Sequence, residues 1–454
     1  MSKKFFGTDG VRGTVNTPKM SASLAMQVAM AMGKIIRDRG HSSRPQALIA
    51  KDTRLSGYTL EPAMVAGFTS VGLDVQLLGP MPTPAVAALT RSMRADVGVM
   101  LSASHNPFHD NGIKIFEATG YKITDEVEAQ IEEYVERSRA ESEHFLLCPS
   151  NELGRVRRLE SLGRYIELAK ASFPAQLRLE GLRLVVDSAH GAAYRAAPRA
   201  LYELGAEVIE IGNAPNGLNI NDEYGATSPK NLQLEVIKHG ADLGIALDGD
   251  ADRLILVDER GQVVDGDQIM AVLAKGLKRR GLLRGEGLVT TVMSNMGLER
   301  CLAAEGLKME RTKVGDRFVL ERMRELGWNV GGEQSGHMIL ADYATTGDGL
   351  IAVLQVLAEM AERNLRASEV LDQFEPVPQL LKNVRFTGEQ SPLDQDSVKT
   401  EIQVQETRLG DTGRVVIRKS GTEPLIRVMA EGDDRDLVAE VVNSICAAIQ
   451  EATA

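Results

Sequence analysis

Cysteine is nearly absent from this chain. Cys148, Cys301 and Cys446 stand far apart among 454 residues. That excludes a disulfide framework and any cysteine-based zinc spacing, and it suits a reducing compartment. Long hydrophobic runs are also missing, with no stretch approaching the roughly 18 apolar residues of a membrane span. The opening MSKKFFGTDGVRG has neither the apolar core nor the small-residue cleavage site of a signal peptide. A cytoplasmic protein with no membrane partner is therefore expected. Positive charge is in deficit as well. The formal net charge is -11, against the clustered basic footprint that nucleic-acid binding needs. Small anionic ligands stay admissible, because a local ring of Arg and Lys reverses the field inside a cleft.

What is present is an ordinary globular balance, 43% hydrophobic and 25% charged. The length exceeds what one core serves and suggests about three or four domains. Between Ser21 and Gly40, apolar residues recur at helical spacing, with a serine cap and a glycine stop. A strand-like run, Ala47–Ala50, leads into Lys51-Asp52-Thr53-Arg54. The runs Val75–Leu78 and Ala95–Leu101 follow. The same order returns in Leu182–Val186, Val208–Ile211 and Ala241–Leu247, and more faintly in Leu288–Met293, Lys308–Lys313 and Trp328–Val330. Strands alternating with helices imply parallel sheets covered on both faces. Three passes predict three α/β domains of one design, the other reading being one large sheet with chance echoes. The tail differs: Arg414–Arg418 and Leu425–Ala430 read as strands around a turn, and Asp436–Gln450 as a helix. The expected domains are 1–153, 154–258, 259–366 and a smaller α+β domain, 367–454.

In open parallel sheets, ligands bind beyond the carboxyl ends of strands; three polar loops stand out there, and the tail supplies a fourth. Ser102-Ala103-Ser104-His105-Asn106-Pro107 follows a buried-looking run and offers a hydroxyl nucleophile, although a capped turn uses the same residues. Asp248-Gly249-Asp250-Ala251-Asp252-Arg253 places three carboxylates at alternate positions, where they can converge on one hard cation. An EF-hand calcium loop competes, with Glu259 at the twelfth position. However, Arg253 stands where that loop requires glycine, and the flanks read as strands, so Mg²⁺ is favoured. Gly331-Gly332-Glu333-Gln334-Ser335-Gly336-His337 sets Glu333 and Ser335 to face a ligand with hydroxyls, or forms a plain bulged turn. Arg418-Lys419-Ser420-Gly421-Thr422-Glu423-Pro424, followed by Arg427, makes a phosphate cradle or a solvated hairpin. Near the N-terminus, Arg12 is framed by flexible turns in Gly7-Thr8-Asp9-Gly10-Val11-Arg12-Gly13. Together these are the parts needed to move a phosphoryl group on a sugar phosphate.

The four loops, in this order and across nearly the whole chain, resemble the α-D-phosphohexomutase superfamily. The resemblance implies three similar α/β domains with mixed, mainly parallel sheets, plus a smaller C-terminal α+β domain, around a central cleft. It assigns Ser104 as phosphoryl carrier and metal ligand, with Asp248, Asp250 and Asp252 as the other ligands of one Mg²⁺. It assigns Glu333 and Ser335 to the sugar, and Arg418, Ser420, Gly421, Thr422 and Arg427 to phosphate, with Arg253 assisting. The segment Phe6–Gly13, Ser102 and Gln334 are similar to the phosphoglucosamine branch. The implied reaction interconverts glucosamine 6-phosphate and glucosamine 1-phosphate through a 1,6-bisphosphate, supplying precursors of UDP-N-acetylglucosamine and the cell wall. Lys114, His337, Arg12 and His105 are the candidates for moving protons. Gln334 and Ser335 are the nearest residues to sense the amine. A phosphomannomutase or phosphoglucomutase of the same superfamily, or a noncatalytic sugar-phosphate binder, remains open. So does a homodimer, since the sequence sets no oligomeric state.

Overall fold

The computed structural model describes residues 4–7, 9–40, 42–386, 391–419 and 425–453. In the strand Gln46–Lys51, Ala47 and Ile49 face one core while Leu48 and Ala50 face another. This is the period-two alternation of a strand covered on both sides. One side holds Leu24, Met64 and Ile131, from the helices Ala22–Arg39, Gly57–Ser70 and Asp125–Ala140. The first of these helices starts where Ser21 accepts a hydrogen bond from the Leu24 N–H at 3.2 Å, and ends at Gly40 with φ 65°. The other side opens into a core shared with the next two domains, through Leu48, Val186, Leu247 and Leu354.

Three units repeat one topology. In each, the first strand is central, the second and third run parallel on its two sides, and the fourth runs antiparallel beside the third. The first unit is Gln46–Lys51, Asp74–Pro80, Val97–Leu101 and Asp110–Glu117. The second is Arg183–Asp187, Glu207–Ile211, Leu243–Leu247 and Leu254–Asp258. The third is Gly287–Thr291, Lys308–Thr312, Val330–Gly332 and Met338–Leu340. The alternation of strands and helices suggests parallel pairing throughout, and the fourth strands depart from it. The turns before them are too short for a parallel crossover, so the chain must double back. Each of these short turns carries one of the polar loops.

Additional strands extend the sheets. Gly10–Thr14 pairs with Asp110–Glu117 and sets Arg12 opposite Gly112. Gly10 needs its lack of a side chain, because it has φ +82° and a Cβ would lie 2.3 Å from the Ile113 carbonyl oxygen. Val156–Arg158 joins the far edge of the first sheet, and Val263–Val264 joins the second. The C-terminal domain is a three-stranded antiparallel sheet in the order Gln379–Arg385, Leu425–Gly432, Gly413–Lys419. It has its own core, built from Val384, Val428, Val441 and Ile445. Polar contacts tie it to the third unit. Arg414 bonds the carbonyls of Val292 and Ser294 at 2.9 and 2.7 Å and pairs with fully buried Glu431. No helix among the described residues is long and apolar enough to cross a membrane.

Candidate active site

The turns between third and fourth strands bring Ser104, the aspartate triad and the Glu333 loop into one region. Ser104 is 2% exposed, and its Oγ lies 2.6 Å from Asp248 Oδ2. Its backbone N–H bonds Ser102 Oγ at 2.9 Å. His105 Nδ1 stands 3.4 Å from the same Ser104 hydroxyl. Burial, with Arg253 and Arg12 nearby, pushes the His105 pKa down to about 4, so this imidazole is neutral at pH 7.

One ligand oxygen from each of Asp248, Asp250 and Asp252 lies within 4.8 Å of the others, and all three residues are buried. Two carboxylate oxygens, Asp250 Oδ1 and Asp252 Oδ1, have no hydrogen-bond partner among the described residues. Buried carboxylate oxygens without donors are costly unless a cation completes them. Burial, together with Asp252 and Asp250, pushes the Asp248 carboxyl up to about 8. The donor set is all oxygen, as hard cations such as Mg²⁺ prefer. The triad therefore fits a divalent metal.

Lys114 is 1% exposed, and its Nζ lies 2.8 Å from Asp250, 3.0 Å from Asp252 and 3.2 Å from Asp9. Burial works against its charge, but the three carboxylates outweigh that and hold its pKa well above the usual value. Asp9 also accepts from Arg12 at 2.7 Å and from Lys122. Lys122 in turn bonds Asp316 at 2.6 Å. His337 Nε2 lies 3.1 Å from the Gly347 N and Nδ1 stands 3.7 Å from Asp252 Oδ1; burial opposes charge on the ring, but Asp252, Asp316 and Glu333 outweigh it and raise its pKa. Asp316 stands 3.5 Å from the other side of the ring. Lys114, Arg12 and His337 thus belong to one alternating charge network spanning three domains. Asp9, Lys122 and Asp316 are its members that sequence pattern alone does not single out. Their only signal is position, since Asp9 sits in the Gly7–Gly13 segment and Asp316 follows Gly315 at a helix start.

In the third loop, the Gly315 N–H donates to Glu333 Oε1 at 3.1 Å. Burial raises the Glu333 pKa, with His337 and Arg253 opposing. Ser335 is exposed. Gln334 Nε2 donates to buried Asp267 at 3.0 Å. Gly331 and Gly332, expected in the loop, lie in the strand Val330–Gly332. Arg253 is held by its backbone N–H to Asp248 Oδ1 at 3.2 Å, and its Nε has no partner among the described residues. Arg418 and Arg427 sit directly opposite on paired strands, and the Nε of each is likewise buried without a described partner. Burial and the adjacent Arg427 lower the Arg418 pKa. Two facing guanidiniums with spare donors suit a bound anion. Ser420, Gly421 and Thr422, the rest of the expected cradle, lie outside the described residues.

Residues 3–142, 163–261, 265–377 and 381–448 match, respectively, phosphoglucomutase/phosphomannomutase α/β/α domains I, II and III and the C-terminal domain. The chain belongs to the phosphoglucomutase/phosphomannomutase family, whose members rearrange phosphate on hexoses. It is 59% identical over 453 residues to the phosphoglucosamine mutase of Paracoccus denitrificans, covering 100% of both chains. It is 60% identical to that of Novosphingobium aromaticivorans, again with 100% of both covered. A phosphoglucomutase/phosphomannomutase family protein from Burkholderia thailandensis shares the fold at a TM-score of 0.82 and 24% identity, over 100% of this chain and 98% of its own.

Proposed function

We propose that this chain is a phosphoglucosamine mutase with Ser104 as its phosphoryl carrier. The observation that carries the reading is Ser104 Oγ at 2.6 Å from Asp248, inside a buried triad of carboxylates. The high identity to relatives of that name supports the amino-sugar substrate over glucose or mannose phosphates.

In the forward direction, the free O1 of glucosamine 6-phosphate attacks the phosphorus on Ser104. The new P–O1 bond forms as the P–Oγ bond breaks, a neighbouring group takes the O1 proton and Ser104 Oγ gains one, leaving glucosamine 1,6-bisphosphate and the Ser104 hydroxyl. The bisphosphate turns over, and Ser104 Oγ attacks the phosphorus on O6, so that glucosamine 1-phosphate leaves and the phosphoserine is restored. Ser104, Asp248, Asp250 and Asp252 would hold one Mg²⁺, which supplies charge neutralisation at the transferring group. Lys114 keeps the triad's surplus charge compensated. Arg253 and the Arg418–Arg427 pair offer donors to phosphate, with Ser420, Gly421 and Thr422 completing the cradle. Glu333 and Ser335 contact sugar hydroxyls. His337, Arg12, His105 and Lys114 are the candidates for moving protons to and from O1 and O6. We place the reaction in the cytoplasm.

The test is a side-by-side series of kcat/KM on fully phosphorylated enzyme. Glucosamine phosphates should exceed glucose and mannose phosphates by at least roughly tenfold, about 1.4 kcal/mol in the transition state. Equal turnover of the neutral sugars would move the chain to a neighbouring branch of the family.

A further inference from the structure

Ser104 holds a backbone conformation that side chains avoid, with φ +53°. For a residue with a Cβ, this left-handed region costs about 1–2 kcal/mol, so the surroundings must impose it. They do so through the carbonyls of the loop. Arg54 Nη2 donates to the Ser104 carbonyl at 2.9 Å and to the Asn106 carbonyl at 2.8 Å. Arg54 Nη1 reaches the Asp110 carbonyl at 3.1 Å and also that of Pro107. One guanidinium therefore gathers four carbonyls between positions 104 and 110.

Arg54 is itself fixed. Asp52 Oδ2 accepts from its Nε at 2.7 Å and Asp52 Oδ1 from its backbone N–H at 2.9 Å, and both residues are 1% exposed. A buried ion pair contributes little net stability against an apolar alternative. What this one provides is a rigid, planar fan of donors aimed at a single loop.

A second grip comes from another domain. Asn221 Nδ2 donates to the Ser104 carbonyl at 2.8 Å and to the Asn106 carbonyl at 3.1 Å, the same two that Arg54 Nη2 holds. Asn221 is anchored by its own N–H to the Ala189 carbonyl at 2.9 Å. The metal loop closes on the remaining side, where a Cβ on Gly249 would lie 2.6 Å from the Ser104 carbonyl oxygen.

We infer that Arg54 and Asn221 are positioning residues for phosphoryl transfer: by clamping the Ser104 and Asn106 carbonyls from two domains, they aim Ser104 Oγ at the aspartate triad. The inference rests on Ser104 being the phosphoryl carrier. Neither residue serves as a metal ligand or as a donor to the sugar in this scheme. Their removal therefore degrades the alignment of the transferring group more than substrate binding, and misplacement of a reacting atom by a fraction of an ångström to an ångström is costly.

The experiment uses full-length, magnesium-loaded enzyme carrying Asn221→Ala, Asn221→Asp or Arg54→Lys. Its readouts are kcat and KM for glucosamine 6-phosphate, intact-mass occupancy of the phosphoserine, and peptide mapping of the phosphate. Asn221→Ala should lower kcat by at least roughly tenfold with KM within about threefold, because the loss falls on the transition state. Asn221→Asp keeps the shape but turns an acceptor toward two carbonyls, so it should be at least as impaired; a space-filling role would tolerate it. Arg54→Lys should lower kcat further, and the two Asn221 variants decide the matter if it fails to fold. Wild-type kcat in both Asn221 variants, with phosphate mapped to Ser104, overturns the positioning role alone. Phosphate mapped to another residue in wild-type enzyme overturns the carrier reading and this inference with it.

Discussion

Ser104 and Asp248 lie 144 residues apart, in different domains, yet their side-chain oxygens meet at 2.6 Å. A hydroxyl so placed borders three carboxylates that could hold a metal ion. Replacing Asp252 with alanine should therefore remove most turnover while the chain still folds, and stripping divalent cations with a chelator should do the same to the wild type. Activity should return on adding Mg²⁺ to the wild type but not to Asp252→Ala. A chelated enzyme working at full rate would remove the metal from the mechanism.

Lys114 is the triad's built-in counter-charge. Lys114→Met leaves Asp250 and Asp252 buried without that cation, and breaking such a pair from one side costs about 3–5 kcal/mol. Urea unfolding of metal-free protein should report a loss of that order. Magnesium should recover more stability in Lys114→Met than in the wild type, because a ligand that binds only the folded state stabilises it. An unchanged unfolding midpoint in the metal-free variant would contradict the role.

The strongest sequence signals were residue types that carry chemistry at the end of an apolar run. Ser104 after Val97–Leu101 and the alternating aspartates after Leu243–Leu247 are of that kind. Arg54 also follows an apolar run, Ala47–Ala50, but its role lies in carbonyls around fifty positions away. Lys122 and Asp316 meet across 194 positions, which no local pattern records. The strand Gln379–Arg385 was invisible for a different reason. Only Val384 in it is fully buried, so there is little alternation to read. The bond from Gln334 to Asp267 spans 67 positions, another tie that no local pattern records.

Arg418 and Arg427 face each other with donors to spare. Arg418→Ala should raise KM for the sugar phosphate and increase release of the bisphosphate before the second transfer, by roughly tenfold for each charge-assisted hydrogen bond removed. Steady-state kinetics with mass detection of free bisphosphate would check this. Unchanged KM with no released intermediate would support the solvated-hairpin reading.

Asp348 caps the helix Gly349–Arg363 and accepts the Tyr165 hydroxyl at 3.1 Å on each oxygen. Burial raises its pKa from 3.8 to about 6 despite those bonds. Between these values the folded state keeps a proton that the unfolded chain releases, so stability falls as pH rises through the window. The decline attributable to this residue is roughly 3 kcal/mol. Asp348→Asn keeps the cap and the tyrosine bond without a charge, so its stability between pH 4 and pH 6 should fall less steeply than the wild type's, as denaturant titrations at each pH would report. Parallel pH profiles would contradict the assignment.

The most direct test follows the phosphoryl group itself. Enzyme carrying one phosphate, mapped to Ser104, is mixed with stoichiometric glucosamine 6-phosphate and magnesium, quenched within a single turnover, and both protein and sugar are weighed by mass spectrometry. The phosphate should leave Ser104 and appear in glucosamine 1,6-bisphosphate at matching rates, while Ser104→Ala yields neither species. Product formed with the Ser104 phosphate untouched would contradict the phosphoserine mechanism.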